Sequence, residues 1–362
     1  MPTLFDPADL GSIKLRNRIV MAPLTRSRAE KDGIPSDLHV EYYSQRARNG
    51  LVVTEGTFFE DINRAFVGQA GIATDQQQAG WAKVAQAVHE QGGQIVMQIM
   101  HGGRLTLPSI NGFDQGEAPS AIAPGVTLHG AEGRQDVPTP VALDDAGIQR
   151  VISGFAAGAR RAIDAGIDGV EIHGANGYLL HEFLSPDANH RTDSYGGSPE
   201  NRARLLIEVI RAVAAEIGAD RVGFRISPMH NVQGCMETNE EDVVATYNAV
   251  IDGVKDLGLA YLSILHHDID GPLVAGLRAR FGGFTMLNSG FGEITGKDEA
   301  QRIVEENLAD AVMVGREVIS NPDLSYRWEK GLPLNEMDMA TFYTPGAAGY
   351  TDYPFAEEES GR

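Results

Sequence analysis

Short apolar runs rich in Val, Ile and Leu recur along the chain, and each is followed by a segment whose apolar positions repeat with the helical period. The runs are IVMAPL (19–24), LVVTEGT (51–57), QIVMQIMH (94–101), GVEIHGA (169–175), VGFRISP (222–228), YLSILH (261–266), TMLNSG (285–290) and AVMVGR (311–316). They are near-continuous rather than alternating, as parallel strands are when helices cover one face and the sheet packs its own interior on the other. Eight such units close a barrel, so the pattern predicts an α/β fold, a single (β/α)8 TIM barrel. The helices carry their own punctuation. Ser198 stands as N-cap with Pro199 at the first helical position, then Leu205, Leu206, Val209, Ile210, Val213 and Ile217 form one stripe and Gly218 ends it. A second helix is predicted from Asn239 to Gly258.

One connection is out of step. Between the third and fourth strands lies an excess at residues 102–143, rich in Gly, Pro and Ser, with VTLHG and QDVPTPV as candidate short strands. An insertion at that end of a barrel caps the active-site mouth. The expected organisation is a barrel over residues 1–355 and a flexible acidic tail over 356–362, with Glu357, Glu358 and Glu359 together.

Composition changes the picture by exclusion. With 42% hydrophobic and 22% charged residues the chain is an ordinary globular sequence, not a disordered, collagenous or coiled-coil one. Thirty Lys and Arg against fifty Asp and Glu give a net charge of −20 with no basic stripe, which speaks against a nucleic-acid partner. The single cysteine, Cys235, rules out an internal disulfide, a zinc site built on several cysteines and an iron–sulfur cluster held by four thiolates. No signal-peptide stretch and no membrane-length apolar window occur, so a soluble cytoplasmic protein is expected.

In this fold the chemistry sits where each strand stops. Those positions carry Thr25, Gly56, Gln98, His101, His173 with Asn176 and Tyr178, Arg225, His266, Ser289 with Gly290, and Gly315 with Arg316. The last two strands end in NSGFG and VGR. Their glycines let backbone N–H groups approach a phosphate, with Arg316 as a clamp, or else they only make tight turns. Arg225, inside an apolar strand, must meet an anion in the mouth or a partner carboxylate such as Glu171 or Glu55. Gln98 can offer a donor and an acceptor to a heterocycle edge, or bond within the barrel. His173, Asn176 and Tyr178 fall within six residues, two polar donors beside a neutral acid, and together point to function. His181 and His190 are read as structural.

Other patterns are weaker. GFGEITG spaces its glycines as GxGxxxG, not as a dinucleotide fingerprint. HHDID (266–270), with His101 and His173, allows an alternative: a metal-dependent barrel hydrolase using His101, His173 and His266. No GxSxG elbow is present, and Cys235 has no paired histidine in sequence.

IVMAPLTR, VVTEGT, the Gln98 strand with HGGR, EIHGANGYLLHEFLSPDANHRTDSYGGSPENRARLLIEV, FRISP, VGREVISNPDL and FYTPGAAGYTDYP together resemble the old yellow enzyme family over residues 2–355. The resemblance implies an ene-reductase with non-covalent FMN, reduced by NADPH or NADH. Hydride then passes from flavin N5 to an electron-poor alkene such as an enone, enal, maleimide or nitro compound. It implies that Pro23, Leu24, Thr25 and Gly56 line the flavin, that Gln98 and Arg225 address its pyrimidine edge, and that Ser289, Gly290, Gly315 and Arg316 hold its phosphate. His173 and Asn176 would bind the substrate oxygen and Tyr178 would protonate the α-carbon. Phe66, Met100 and Tyr343 would frame the substrate pocket. Nicotinamide and alkene would use one flavin face in turn, which implies ping-pong kinetics without a second nucleotide domain. A monomer or homodimer is expected. Three positions depart from the family: Met100 where Trp is frequent, Phe66 where relatives carry Tyr, and Gly56 where Ala is common. The first two exchange large hydrogen-bonding walls for apolar ones and should alter substrate range and facial preference.

Overall fold

In the computed structural model, which describes residues 2–130 and 133–356, eight parallel strands close a barrel. They are β1 Ile19–Met21, β2 Leu51–Val53, β3 Ile95–Ile99, β4 Gly169–Gly174, β5 Val222–Ile226, β6 Tyr261–Leu265, β7 Thr285–Asn288 and β8 Ala311–Val314. Each lies within one of the eight apolar runs, and each is hydrogen-bonded to its sequence neighbour, with β8 returning to β1. Of the tail expected over 356–362, Ala356 is instead buried, its N–H donating to Asp323 Oδ2 at 2.8 Å, and residues 357–362 lie outside the described residues.

The near-continuous apolar runs conceal an alternation that the closed sheet makes visible. Met97, Ile99, Val170, Ile172, Phe224, Ile226, Leu262 and Ile264 face the helices in one cluster. The residues between them point into the barrel, where Val20, Leu51, Val53, Val96, Tyr261, Met286, Ala311 and Met313 form a separate apolar floor. An N-terminal hairpin, Ala8–Leu10 with Ile13–Leu15, closes that floor from below through Leu10, Ile13 and Leu15.

Among the described residues one long helix bridges each pair of successive strands: α1 Asp37–Gln45, α2 Asp75–Glu90, α3 Asp145–Asp164, α4 Pro199–Ile217, α5 Glu240–Asp252, α6 Pro272–Phe281 and α7 Lys297–Glu305. In α4 the Ser198 hydroxyl accepts from the Asn201 N–H at 3.3 Å, and Gly218 follows at φ +90°. Leu205, Leu206, Val209, Ile210 and Val213 are wholly buried, each contributing about 1.5–3 kcal/mol. The helix expected from Asn239 to Gly258 is shorter than predicted. It stops at Asp252, and a separate 3-10 turn covers Lys255–Leu257. The backbone leaves the helical region at Val254, φ −134°, just after Gly253, where a Cβ would lie 2.5 Å from Ile207 of α4.

The insertion after β3 contains a hairpin, Thr127–Gly130 against Gly133–Asp136, and a short parallel pair, Glu117–Ala118 with Val141–Ala142. The second strand begins earlier than QDVPTPV suggests and stops before Pro138 and Pro140, which have no N–H to give a ladder. Among the described residues no helix is long and apolar enough to cross a membrane.

Three buried arginines fasten the C-terminal segment to the top of the barrel. Arg26 donates to Phe342 O at 3.1 Å, Gly349 O at 2.7 Å and the Tyr42 hydroxyl at 2.9 Å. Arg28 donates to the carbonyls of Thr341, Phe342, Gly346 and Ala348, and Arg46 to those of Val318 and Ile319. Tyr343 is carried on this fastened segment.

Candidate active site

Above the apolar floor the inward positions of neighbouring strands become polar. Gln98 and Glu171 lie opposite each other across β3 and β4; two residues on, His173 faces Arg225, and Arg225 faces Ser263. All are buried. Gln98 Nε2 donates to Glu171 Oε1 at 2.7 Å. A Cβ at Gly223, opposite Glu171, would sit 2.3 Å from the Tyr261 ring, so only glycine leaves that ring room inside the barrel.

Arg225 makes no direct ion pair among the described residues. Its Nη1 donates to Ser263 Oγ at 3.1 Å and to Met313 Sδ at 2.9 Å, and its Nε has no partner. Of the two carboxylates named from sequence, Glu171 is the one whose charge reaches it. Burial pulls the guanidinium below its usual pKa and Glu171 counters this, while burial raises Glu171 and Arg225 counters that. Glu55 is engaged elsewhere, beside Tyr43 Oη at 3.4 Å and His39 Nε2 at 3.5 Å.

At the mouth, His173 is the penultimate residue of β4, and the chain beyond Gly174 turns sharply because Asn176 and Gly177 both take left-handed backbone, φ +59° and +81°. The Asn176 N–H donates to Ser227 Oγ and its carbonyl accepts from Gln233 Nε2, both at 2.8 Å. The Gly177 N–H donates to His181 Nδ1 at 2.8 Å, and His181 Nε2 stands 3.3 Å from Glu237 Oε1, so His181 is structural as expected. Tyr178 caps the helix Leu179–Leu184 and leans over His173, with ring centroids 5.2 Å apart. His173 Nδ1 and Asn176 Oδ1 are buried without a partner.

Burial drives the chemistry of these groups toward neutrality. His173 is held well below the usual histidine pKa by burial, with Arg225 and His181 adding to it. The Tyr178 phenol is pushed up to about 12 by burial; Tyr343 adds to the rise and a Gln233 hydrogen bond opposes it. The set is therefore a neutral imidazole, an amide and a protonated phenol, able to donate hydrogen bonds and one proton.

The remaining expected residues surround this set unequally. Pro23, Leu24 and Thr25 leave β1 half-buried, and a Cβ at Gly315 would lie 3.6 Å from Leu24, so the exits of β1 and β8 adjoin. Phe66 meets Tyr178 edge to face at 6.1 Å. Gly56 and Met100 are fitted to each other, since a Cβ at Gly56 would come 2.1 Å from Met100 Sδ. Tyr343 is 68% exposed at the rim.

The β7 and β8 exits meet, but with much of their polarity spent internally. Ser289 Oγ lies 3.1 Å from Thr295 Oγ1, the Gly290 N–H donates to Asn288 Oδ1 at 3.2 Å, and Arg316 donates to the carbonyls of Phe291 and Glu293. Arg316 thus clasps one loop to the other. A Cβ at Gly292 or Gly296 would meet nothing within 4 Å, and Gly292 lies in an exposed stretch.

The hydrolase alternative is not supported. His101 accepts from the Gly103 N–H at 2.9 Å and stands 3.2 Å from Glu117 Oε2, which removes it from His173 and His266. Among the described residues no three His, Cys, Asp or Glu side chains converge to hold a metal. A cleft of about 720 Å³ at the amino-terminal ends of the strands, lined by Arg16, Asn17 and Gln91, faces away from the polar set. Sequence reasoning missed Gln233 and Ser227. Ser227 ends a strand run and could have been read from it; Gln233, in a loop, carries no signal.

Residues 3–335 match the family model described as the NADH:flavin oxidoreductase / NADH oxidase family. A probable flavin mononucleotide-dependent alkene reductase of Leishmania infantum is 41% identical, with 97% of each chain covered. The solved structure of an old yellow enzyme homologue from Zymomonas mobilis superposes with a TM-score of 0.92 at 37% identity, covering 98% of this chain and 99% of the other. Morphinone reductase in complex with tetrahydroNAD gives 0.92 at 39% identity, with both chains covered completely. With the family model spanning most of the chain and these relatives matching it end to end, the protein belongs to the NADH:flavin oxidoreductase family, among the old yellow enzymes.

Proposed function

We propose that this NAD(P)H-dependent flavin ene-reductase reduces the C=C bond of electron-poor alkenes, with His173 and Asn176 binding the activating oxygen and Tyr178 supplying the proton. The observation that carries this reading is one contiguous buried polar set. Gln98 opposes Glu171 across β3 and β4, His173 faces Arg225 two residues on, and Asn176 and Tyr178 follow His173 at the mouth.

The residues present fit FMN. A flavin's pyrimidine edge alternates acceptors and a donor, and the interior offers the unpartnered Arg225 Nε and the Gln98 amide, whose Oε1 lies 3.3 Å from the Cβ position of Gly56. Thr25, Leu24 and Pro23 would line the ring system, and the backbone turns at Gly290, φ +100°, and Gly315 would take the phosphate arm. Bound there, FMN supplies hydride to the alkene after accepting it from NADPH or NADH.

The chain's own residues then do the following. Arg225 would offer the bound group a buried positive charge able to stabilise negative charge that develops on reduction. His173 and Asn176 orient the substrate's carbonyl or nitro oxygen and draw charge onto it, which makes the β-carbon electrophilic. Because His173 is neutral it polarises by hydrogen bonding rather than by full charge, so the α-carbon keeps enough basicity to be protonated. Tyr178 Oη delivers that proton, and the Gln233 side chain, held on the Asn176 carbonyl, works against the rise that burial gives the phenol. Phe66, Met100 and Tyr343 shape the apolar wall against which the alkene lies.

The test is optical. The purified protein should show a flavin spectrum that NADPH bleaches without oxygen and cyclohexenone restores. Parallel initial-rate lines on varying both substrates should accompany it, since both would use one site in turn. A colourless protein that takes up no FMN and oxidises no NADPH would overturn the reading.

A further inference from the structure

We infer that Glu171 is a positioning residue for the flavin site: from inside the barrel its carboxylate fixes the Gln98 amide with nitrogen inward and oxygen outward, and acts as counter-charge to the buried Arg225. This rests on the assignment of Gln98 and Arg225 to the flavin edge.

The geometry has three parts. First, Glu171 and Gln98 are directly opposed across β3 and β4, and Gln98 Nε2 donates to Glu171 Oε1 at 2.7 Å. A carboxylate only accepts, so it selects one of the two orientations of an otherwise symmetric amide. The oxygen is thereby left on the side of Gly56, at 3.3 Å from that residue's Cβ position. Second, Arg225 has no carboxylate in direct contact among the described residues, only Ser263 and Met313, and Glu171 is the acid whose charge it feels. Third, both are buried, Glu171 wholly and Arg225 to 3% exposure, so their fields are weakly screened. Glu171 Oε2 has no hydrogen-bond partner, and its other near neighbour is the Tyr261 ring that Gly223 admits.

Two effects can be separated by two variants. Glu171→Gln keeps the shape and removes the charge. Arg225 then acts on the cofactor without compensation, and the reduced, more negative form gains relative to the oxidised one. The ratio of the two dissociation constants should shift about tenfold, or about 30 mV more positive for a two-electron couple. Glu171→Asp keeps the charge and withdraws it by one methylene from Gln98. FMN should bind about tenfold more weakly in both redox forms with the potential near that of the wild type.

The experiment measures FMN binding by fluorescence quenching, the midpoint potential by dye equilibration, and thermal unfolding of the apo protein. The inference is overturned if Glu171→Gln weakens both redox forms equally or changes neither, or if Glu171→Asp binds FMN as the wild type does. Should Glu171→Gln fail to fold, the Asp variant decides alone. A wild type that binds no FMN would instead refute the functional reading beneath it, so the two failures are distinguishable.

Discussion

Replacing Tyr178 by Phe removes one oxygen and leaves the ring where it is. The ring contacts that place it, 5.2 Å to His173 and 6.1 Å to Phe66, do not involve the hydroxyl. The polar loss is at most one hydrogen bond, worth about 0.5–1.5 kcal/mol of stability. A larger effect on rate must therefore be chemical. General acid catalysis contributes roughly 10²–10⁴-fold, about 2.7–5.4 kcal/mol at 1.36 kcal/mol per decade. That loss should fall on reoxidation of the reduced enzyme by cyclohexenone and spare its reduction by NADPH. The structure also sets the pH response. With the phenol pKa near 12 the proton is present throughout the neutral and alkaline range, and His173, well below 6.5, stays uncharged above it. Stopped-flow reoxidation in the wild type should accordingly be flat with pH from about 7 to 10. Equal slowing of both half-reactions in Tyr178→Phe, or an alkaline fall in the wild type near pH 8, would refute the proton-donor role.

Other outcomes test the structure around the site. Burial pushes Glu182 up to about 8, against about 4.3 for a free glutamate. A carboxyl raised on folding supports stability fully below its unfolded pKa, and that support is lost as pH rises through the folded one. Glu182→Gln should therefore flatten the Tm–pH curve between about 4.3 and 8 and gain on the order of a few kcal/mol at its upper end; parallel curves for variant and wild type would count against it. Gly56→Ala drives a Cβ to 2.1 Å from Met100 Sδ and should displace that side chain, so product stereochemistry on substituted enones should change and Met100→Ala should relieve the clash. Met100→Trp should likewise shift product ratios or scope, and unchanged ratios across several enones would contradict a pocket role for this wall. Arg26→Met strips donors from Phe342 O, Gly349 O and Tyr42 Oη; at about 1–3 kcal/mol per buried acceptor left unsatisfied it should lower stability in chemical denaturation and raise amide exchange across 341–351, the segment bearing Tyr343.

Much of this protein is local in origin and therefore legible along the chain. Strands buried on both faces must be apolar throughout, so all eight declare themselves; Ser198, Pro199 and Gly218 mark a helix because capping depends on adjacent residues. Arg225 and Gln98 stand out because a charge or amide inside an apolar run needs a partner. The same signal is present in Glu171, which the chain alone presents only as a possible neighbour of Arg225. What the one-dimensional pattern could not decide is which long-range pairs form. The β3–β4 register sets Glu171 against Gln98, and barrel closure, not spacing, turns Glu55 toward His39 and away from Arg225. Gln233 reaches Asn176 and Tyr178 from a loop whose course depends on everything beneath it. Arg316, expected as a free clamp, is bound to the carbonyls of Phe291 and Glu293. Residue type and periodicity determine what a segment becomes, because burial and capping act over a few residues. Register, burial and competition among hydrogen-bond partners belong to the closed barrel, where groups distant in sequence meet in a medium that leaves few charges unpaired.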